Sequence, residues 1–125
     1  MAFERVALWH VPQIKRAIGI SGIQSDVYSW RWVSDEVGVK GVQVDLLIDR
    51  ADGVVNLCEM KYSSHEYELD KTADEEIRHR CAVFERKSGV AKSVQPVLIT
   101  SSGVKDGKYK GNITCQVTAD DFFAE

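Results

Sequence analysis

Residues 42–62 read VQVDLLIDRADGVVNLCEMKY. They comprise an apolar run, a turn signal, a second apolar run and then Glu59-Met60-Lys61. Asp45 stands inside the first run; Glu59 and Lys61 close the second. Each run alternates as a strand does, with successive side chains on opposite faces. Ala51-Asp52-Gly53 fits a three-residue hairpin loop with Gly53 in the left-handed position that closes it. Arg50 then pairs with Val54, and counting back sets Asp45 opposite Glu59, with Lys61 further along the same face. The other face carries Val42, Val44, Leu46 and Ile48 against Asn56, Cys58, Met60 and Tyr62, an apolar surface for a helix to cover. A two-residue Asp52-Gly53 turn would shift the register by one and send the two acids to opposite faces. Loop length therefore decides the site.

The surrounding chain is that of an ordinary globular domain. A length of 125 residues suits one domain with a core, at 44% hydrophobic and 28% charged residues. The net charge of −3 gives no global basic signature for nucleic acid, which leaves a local basic face as the alternative. Cys58, Cys81 and Cys115 are scattered and lack CxxC spacing. They read as reduced thiols of a cytoplasmic protein. The N-terminus shows no signal peptide, and no apolar run is long enough to span a membrane.

Outside the hairpin, Phe3 to Ile18 carries a helical apolar stripe that Pro12 should kink or divide near Val11. Gly19 is the expected stop. Val27 to Val33 reads as a strand with Tyr28, Trp30 and Trp32 on one face, either buried or a stacking platform for bases. A helix is expected from about Glu68 to Lys87, with Leu69, Ala73, Ile77, Cys81 and Phe84 buried. Val94 to Ser101 reads as a strand made regular only after Pro96. Ser102 to Gly111 reads as a loop or hairpin tip, Ile113 to Val117 as a strand, and Thr118 as the N-cap of a last short helix. The order α, β, β, β, α, β, β, α predicts an α/β fold with a mixed sheet flanked by helices.

Two carboxylates facing each other repel unless something neutralises them. Asp45 and Glu59, with the Met60 carbonyl as a third ligand, form a hard oxygen site suited to Mg²⁺ or Mn²⁺. A cation there acidifies water and neutralises phosphate, and Lys61 orients the water or stabilises the phosphate charge. The bland alternative is a surface ion-pair cluster. His10, His65 and His79 lack metal-ligand spacing.

An Asp on one strand followed by Glu-x-Lys on the next resembles the PD-(D/E)XK nuclease superfamily. Asp45, Glu59 and Lys61 match its motif, and Glu4 matches its helix acid by position. AFERVALWHVPQIKRAIGISG, SWRW, GVQVDLLIDRADGVVNLCEMKYS and VTADDFF resemble the C-terminal nuclease-like domain of bacterial AAA+ ATPases. The resemblance implies a restriction-endonuclease-like fold over residues 1–125, Mg²⁺ as cofactor, DNA as substrate and an ATPase module as partner. It also implies a site role for Glu4. No GxxxxGK[ST] motif occurs, so ATP is not expected to bind in the phosphate-loop manner. Arg31, Lys71 and Arg78 are candidate phosphate contacts, Arg78 because the helix after Lys61 should pack near the site. The alternative function is a non-catalytic DNA- or protein-docking domain.

Overall fold

Two short helices open the computed structural model, which describes residues 2–123. They are α1 (Phe3–Leu8) and α2 (Val11–Ala17). The apolar stripe runs through both. Pro12 has no N–H to give a preceding carbonyl, so the helix breaks at Trp9-His10 and Pro12 takes the first turn of α2, where that donor is not needed. Gly19, with φ 79°, follows the end of α2.

Strands β1 (Ser25–Trp32), β2 (Val42–Arg50) and β3 (Val54–Lys61) form an antiparallel meander. Helix α3 (Lys71–Ser88) then crosses to β4 (Ser93–Thr100), which lies parallel to β3. Strand β5 (Cys115–Thr118) adds parallel to β4, and α4 (Ala119–Phe122) follows. The described residues thus form an open α/β fold with one five-stranded mixed sheet, in the order β1-β2-β3-β4-β5. The expected element order is observed, but one connection differs. Because β4 and β5 are parallel, residues 102–111 belong to a crossover and not to a hairpin tip.

Pro96 also departs from expectation, since it pairs with Leu57 inside β4. Its carbonyl accepts the Thr114 N–H at 3.0 Å, so its ring nitrogen faces the same β5 side. There the ladder starts only at Val97↔Cys115, and no bond to β3 is lost.

Strands β2 and β3 keep the register that the three-residue loop dictates: Leu46↔Cys58, Leu47↔Leu57, Ile48↔Asn56 and Asp49↔Val55. Gly53 closes the loop at φ +90°. Arg50 braces it by donating to Asp52 Oδ2 at 2.6 Å and to Asn56 Oδ1 at 3.1 Å.

The faces of β2 are not continuous, however. Against β1, Tyr28 pairs with Leu47 and Trp30 with Val44, so β2 advances one residue more than β1 over the same span. That is a β-bulge at Asp45-Leu46. Val42 and Val44 consequently pack with Leu47, Val55, Leu57, Val83 and Phe84 on the α3 side. Leu46, Ile48, Cys58 and Met60 face the opposite side, with Ala7, Ile14 and Phe122 from α1, α2 and α4. The expectation that Val42 and Val44 share a face with Leu46 and Ile48 is corrected by the bulge.

Helix α3 starts where Asp70 accepts the Ala73 N–H at 2.8 Å, and Gly89 ends it in the left-handed conformation. Its buried positions are Asp74, Ile77, Val83 and Phe84, with Cys81 half-buried beside them. Leu69 is buried but precedes the helix. Trp30 meets Phe84 edge-on at 5.2 Å between ring centroids. Trp30 and Trp32 therefore support the core rather than a stacking platform, while Tyr28 stays exposed.

Candidate active site

Leu46↔Cys58 is the last pair of the β2–β3 ladder. Beyond it, β2 stays with β1 through the bulge, and β3 stays with β4 as far as Lys61↔Thr100. The two strands fork. A cleft of about 200 Å³ lies at the fork, lined by Glu4, Asp45, Glu59, Met60 and Lys61, together with Gln43 and Arg80.

Each side chain arrives by a different route. Glu4 comes from the first turn of α1, where an acid also suits the helix dipole. Asp45 sits at the bulge and accepts from Gln43 Nε2 at 3.1 Å. Glu59 continues the Val55, Leu57 series on the α3 side and is buried, with 9% of its surface exposed. Its Oε1 lies 3.4 Å from Arg80 Nε on α3. Lys61 is the last residue of β3. The acids meet across a fork, then, and not as the flush cross-strand pair that simple alternation predicts. Asp45 lies with Gln43, away from Val42 and Val44, and Glu59 points toward α3.

The Met60 carbonyl follows from strand geometry. The Gly53 and Lys61 carbonyls accept from Ser93 and Ser101 at 3.0 and 3.3 Å, toward β4. Carbonyl directions alternate along a strand, so Met60 aims its carbonyl toward β2. At that level β2 has already diverged. The Met60 side chain, by contrast, is part of the core.

Burial pushes the Glu59 carboxyl above its ordinary pKa; Arg80 and Lys61 pull it back, and Asp45 and Glu76 add to the rise. The donor set of two carboxylates and one carbonyl fits a hard divalent cation such as Mg²⁺ or Mn²⁺. Yet among the described residues no group of three His, Cys, Asp or Glu side chains stands ready to hold a metal. Arg80 occupies the neighbourhood of Glu59 instead.

The three basic residues proposed from sequence are placed differently. Arg31 pairs with Gln43 across β1–β2 and lines a groove that shares Gln43 with the cleft. Lys71 starts α3, 4.0 Å from Glu75, and does not line the cleft. Arg78 turns away from the fork: its Nε lies 2.9 Å from the buried Asp74, which also accepts from Asn112. Its expected place near the site is corrected in favour of Arg80, two residues on and on the other side of the helix. Sequence reasoning missed Arg80, although a signal existed. It lies three residues after Ile77 and four before Phe84, a charge set within an apolar stripe. His10 donates Nδ1–H to the Val6 carbonyl at 2.7 Å and stacks on Phe122, a packing role.

No known family's sequence profile matches the chain, and no curated protein does. Among solved structures, the fold is similar to one described as a protein of unknown function, AF1548, with a TM-score of 0.56 and 16% sequence identity. The match covers 83% of this chain and 53% of that one, so the chain spans about half of that structure's length. At this identity the likeness bears on the fold alone. Among the described residues no helix is long and apolar enough to cross a membrane.

Proposed function

We propose that this chain is a nuclease domain of restriction-endonuclease-like architecture that hydrolyses DNA phosphodiesters with Mg²⁺ or Mn²⁺. One observation carries the reading: Glu4, Asp45, Glu59 and Lys61, drawn from α1, β2 and β3, line the same cleft with Met60. Burial, with Asp45 nearby, holds the Glu59 carboxyl above its ordinary pKa even beside Arg80 and Lys61, and a divalent cation would relieve that penalty.

The Asp45 and Glu59 carboxylates and the Met60 carbonyl would hold the cation. When bound, it lowers the pKa of water and neutralises phosphate charge. Lys61 orients the attacking water and stabilises the negative charge that develops on the phosphate. Glu4 supports the ligand shell from the α1 side. Arg31, beside Gln43, guides the DNA backbone into the cleft. The wording of the flanking segments supports an AAA+ ATPase module as partner, with the domain working in the cytoplasm and binding no ATP itself.

The test is nicking of supercoiled plasmid. Wild-type chain is expected to nick in Mg²⁺ or Mn²⁺ and not in EDTA. Asp45→Ala and Lys61→Ala are each expected to lose about 100-fold or more. Absence of cleavage with every divalent metal would overturn the enzymatic reading. A second reading, a docking domain that keeps the fold without cutting, is favoured by the Arg80–Glu59 pair, which occupies one intended ligand.

A further inference from the structure

Among the described residues of the cleft, Arg80 stands out because its present partners leave it poorly satisfied. Its contact with Glu59 is 3.4 Å, longer than the ~2.7–2.9 Å of a strong charge-assisted pair. Its Nη1 is buried and has no hydrogen-bond partner among the described residues. A guanidinium held this way has hydrogen-bonding capacity in reserve.

Charge shows what that reserve is for. Three acids (Glu4, Asp45, Glu59) against two bases (Lys61, Arg80) give the cleft lining a net charge of −1. A bound divalent cation turns that to +1, the complement of one phosphodiester. Removing Arg80 takes one unit of positive charge from the loaded cleft and weakens its attraction for the phosphate. Arg80 also sits on α3, a rigid helix whose Phe84 and Val83 are locked in the core, so it pivots from a fixed base.

We propose that Arg80 serves two anions in turn: it neutralises Glu59 in the metal-free site, and takes a non-bridging oxygen of the scissile phosphodiester once a divalent cation holds Glu59. This rests on the nuclease reading and adds a substrate-contacting residue to it. No bond forms or breaks at Arg80; the guanidinium exchanges a carboxylate partner for a phosphate one.

The experiment measures two bindings on the full chain. The first is Mn²⁺ affinity, from the electron paramagnetic resonance signal of free Mn²⁺. The second is affinity for a fluorescein-labelled DNA duplex, in a Lys61→Ala background to prevent cutting, with Mn²⁺ and with EDTA. Arg80→Gln is expected to bind Mn²⁺ roughly three- to fivefold more tightly, because a competing cation has gone. Lys61→Ala/Arg80→Gln is expected to lose roughly tenfold or more in DNA affinity with Mn²⁺, and to match Lys61→Ala in EDTA. Arg80→Lys keeps the charge and guards against misfolding of the glutamine variant. It is expected to hold Mn²⁺ as the wild type does and to lose a smaller part of the Mn²⁺-dependent DNA affinity. Weaker Mn²⁺ binding by Arg80→Gln would mean that Arg80 merely props Glu59, and would overturn the inference. So would an equal DNA loss with and without Mn²⁺, or an Arg80→Lys variant with unchanged DNA affinity. If the wild-type chain binds no Mn²⁺, the nuclease reading itself falls, and this inference with it.

Discussion

The two ends of the β2–β3 hairpin are made from the same strands and behave in opposite ways. At the loop end the strands are paired residue for residue, Gly53 closes the turn and Arg50 ties Asp52 to Asn56. At the other end they separate, and charged side chains meet where the ladder stops. Every polar group at the loop end that Arg50 touches has an opposite or complementary partner. At the fork the buried Glu59 relies on a single long ion pair among the described residues. The difference teaches how a small domain builds a site. The loop end spends its sequence on register, and that register delivers Glu59 and Lys61 to a place where β3 has parted from β2 and is paired with β4 alone.

Coupling between the ends gives the largest predicted effect. Deleting Asp49, which pairs with Val55 next to the loop, leaves Ala51-Asp52-Gly53 intact and slips the rest of β2 by one against β3. A one-residue slip sends a whole strand's side chains to the wrong faces. The deletion is expected to abolish cooperative thermal unfolding and all metal-dependent nicking. A folded, active deletion variant would show that the loop end does not set the fork.

A milder attack on the same end is Gly53→Val. At φ +90° a β-branched residue is strained, so a loss of about 1–2 kcal/mol in denaturant unfolding is expected. Cleavage under strongly native conditions should persist, because the register survives.

The smallest effect compares two arginines. Arg31 lies beside the fork and Arg78 on the far side of α3, engaged with Asp74. Arg31→Ala is expected to weaken DNA binding roughly fivefold by fluorescence anisotropy, about 1 kcal/mol. Arg78→Ala is expected to leave it within roughly twofold and to act instead through stability, since it strips the buried Asp74 of its cation. Equal effects on binding would erase the distinction between the groove beside the fork and the far side of α3.

Much of this architecture is legible in the sequence. Pro12 announces the break between α1 and α2, and Gly53 with Ala51-Asp52 announces the loop and its register. The bulge at Asp45-Leu46 is not legible. Val42, Val44, Leu46 and Ile48 alternate without a flaw, and the extra residue appears only when β2 must pair with β1 on one edge and β3 on the other. Nor can the segment before β5 be told from a hairpin tip, because its glycines and lysines suit either connection. Arg80 is legible once the stripe on α3 is followed residue by residue. A charge between Ile77 and Phe84 on a buried stripe needs a partner, and Glu59 is the acid that the crossover brings to it.

The central claim is that the fork binds a catalytic divalent cation. Anomalous scattering from crystals of the wild-type chain grown with Mn²⁺ tests it most directly. The account predicts one Mn²⁺ peak between Asp45 and Glu59, with their carboxylate oxygens and the Met60 carbonyl at roughly 2.0–2.6 Å and Arg80 moved off Glu59. A fork without Mn²⁺ at millimolar concentration, with Arg80 still seated on Glu59, would contradict it.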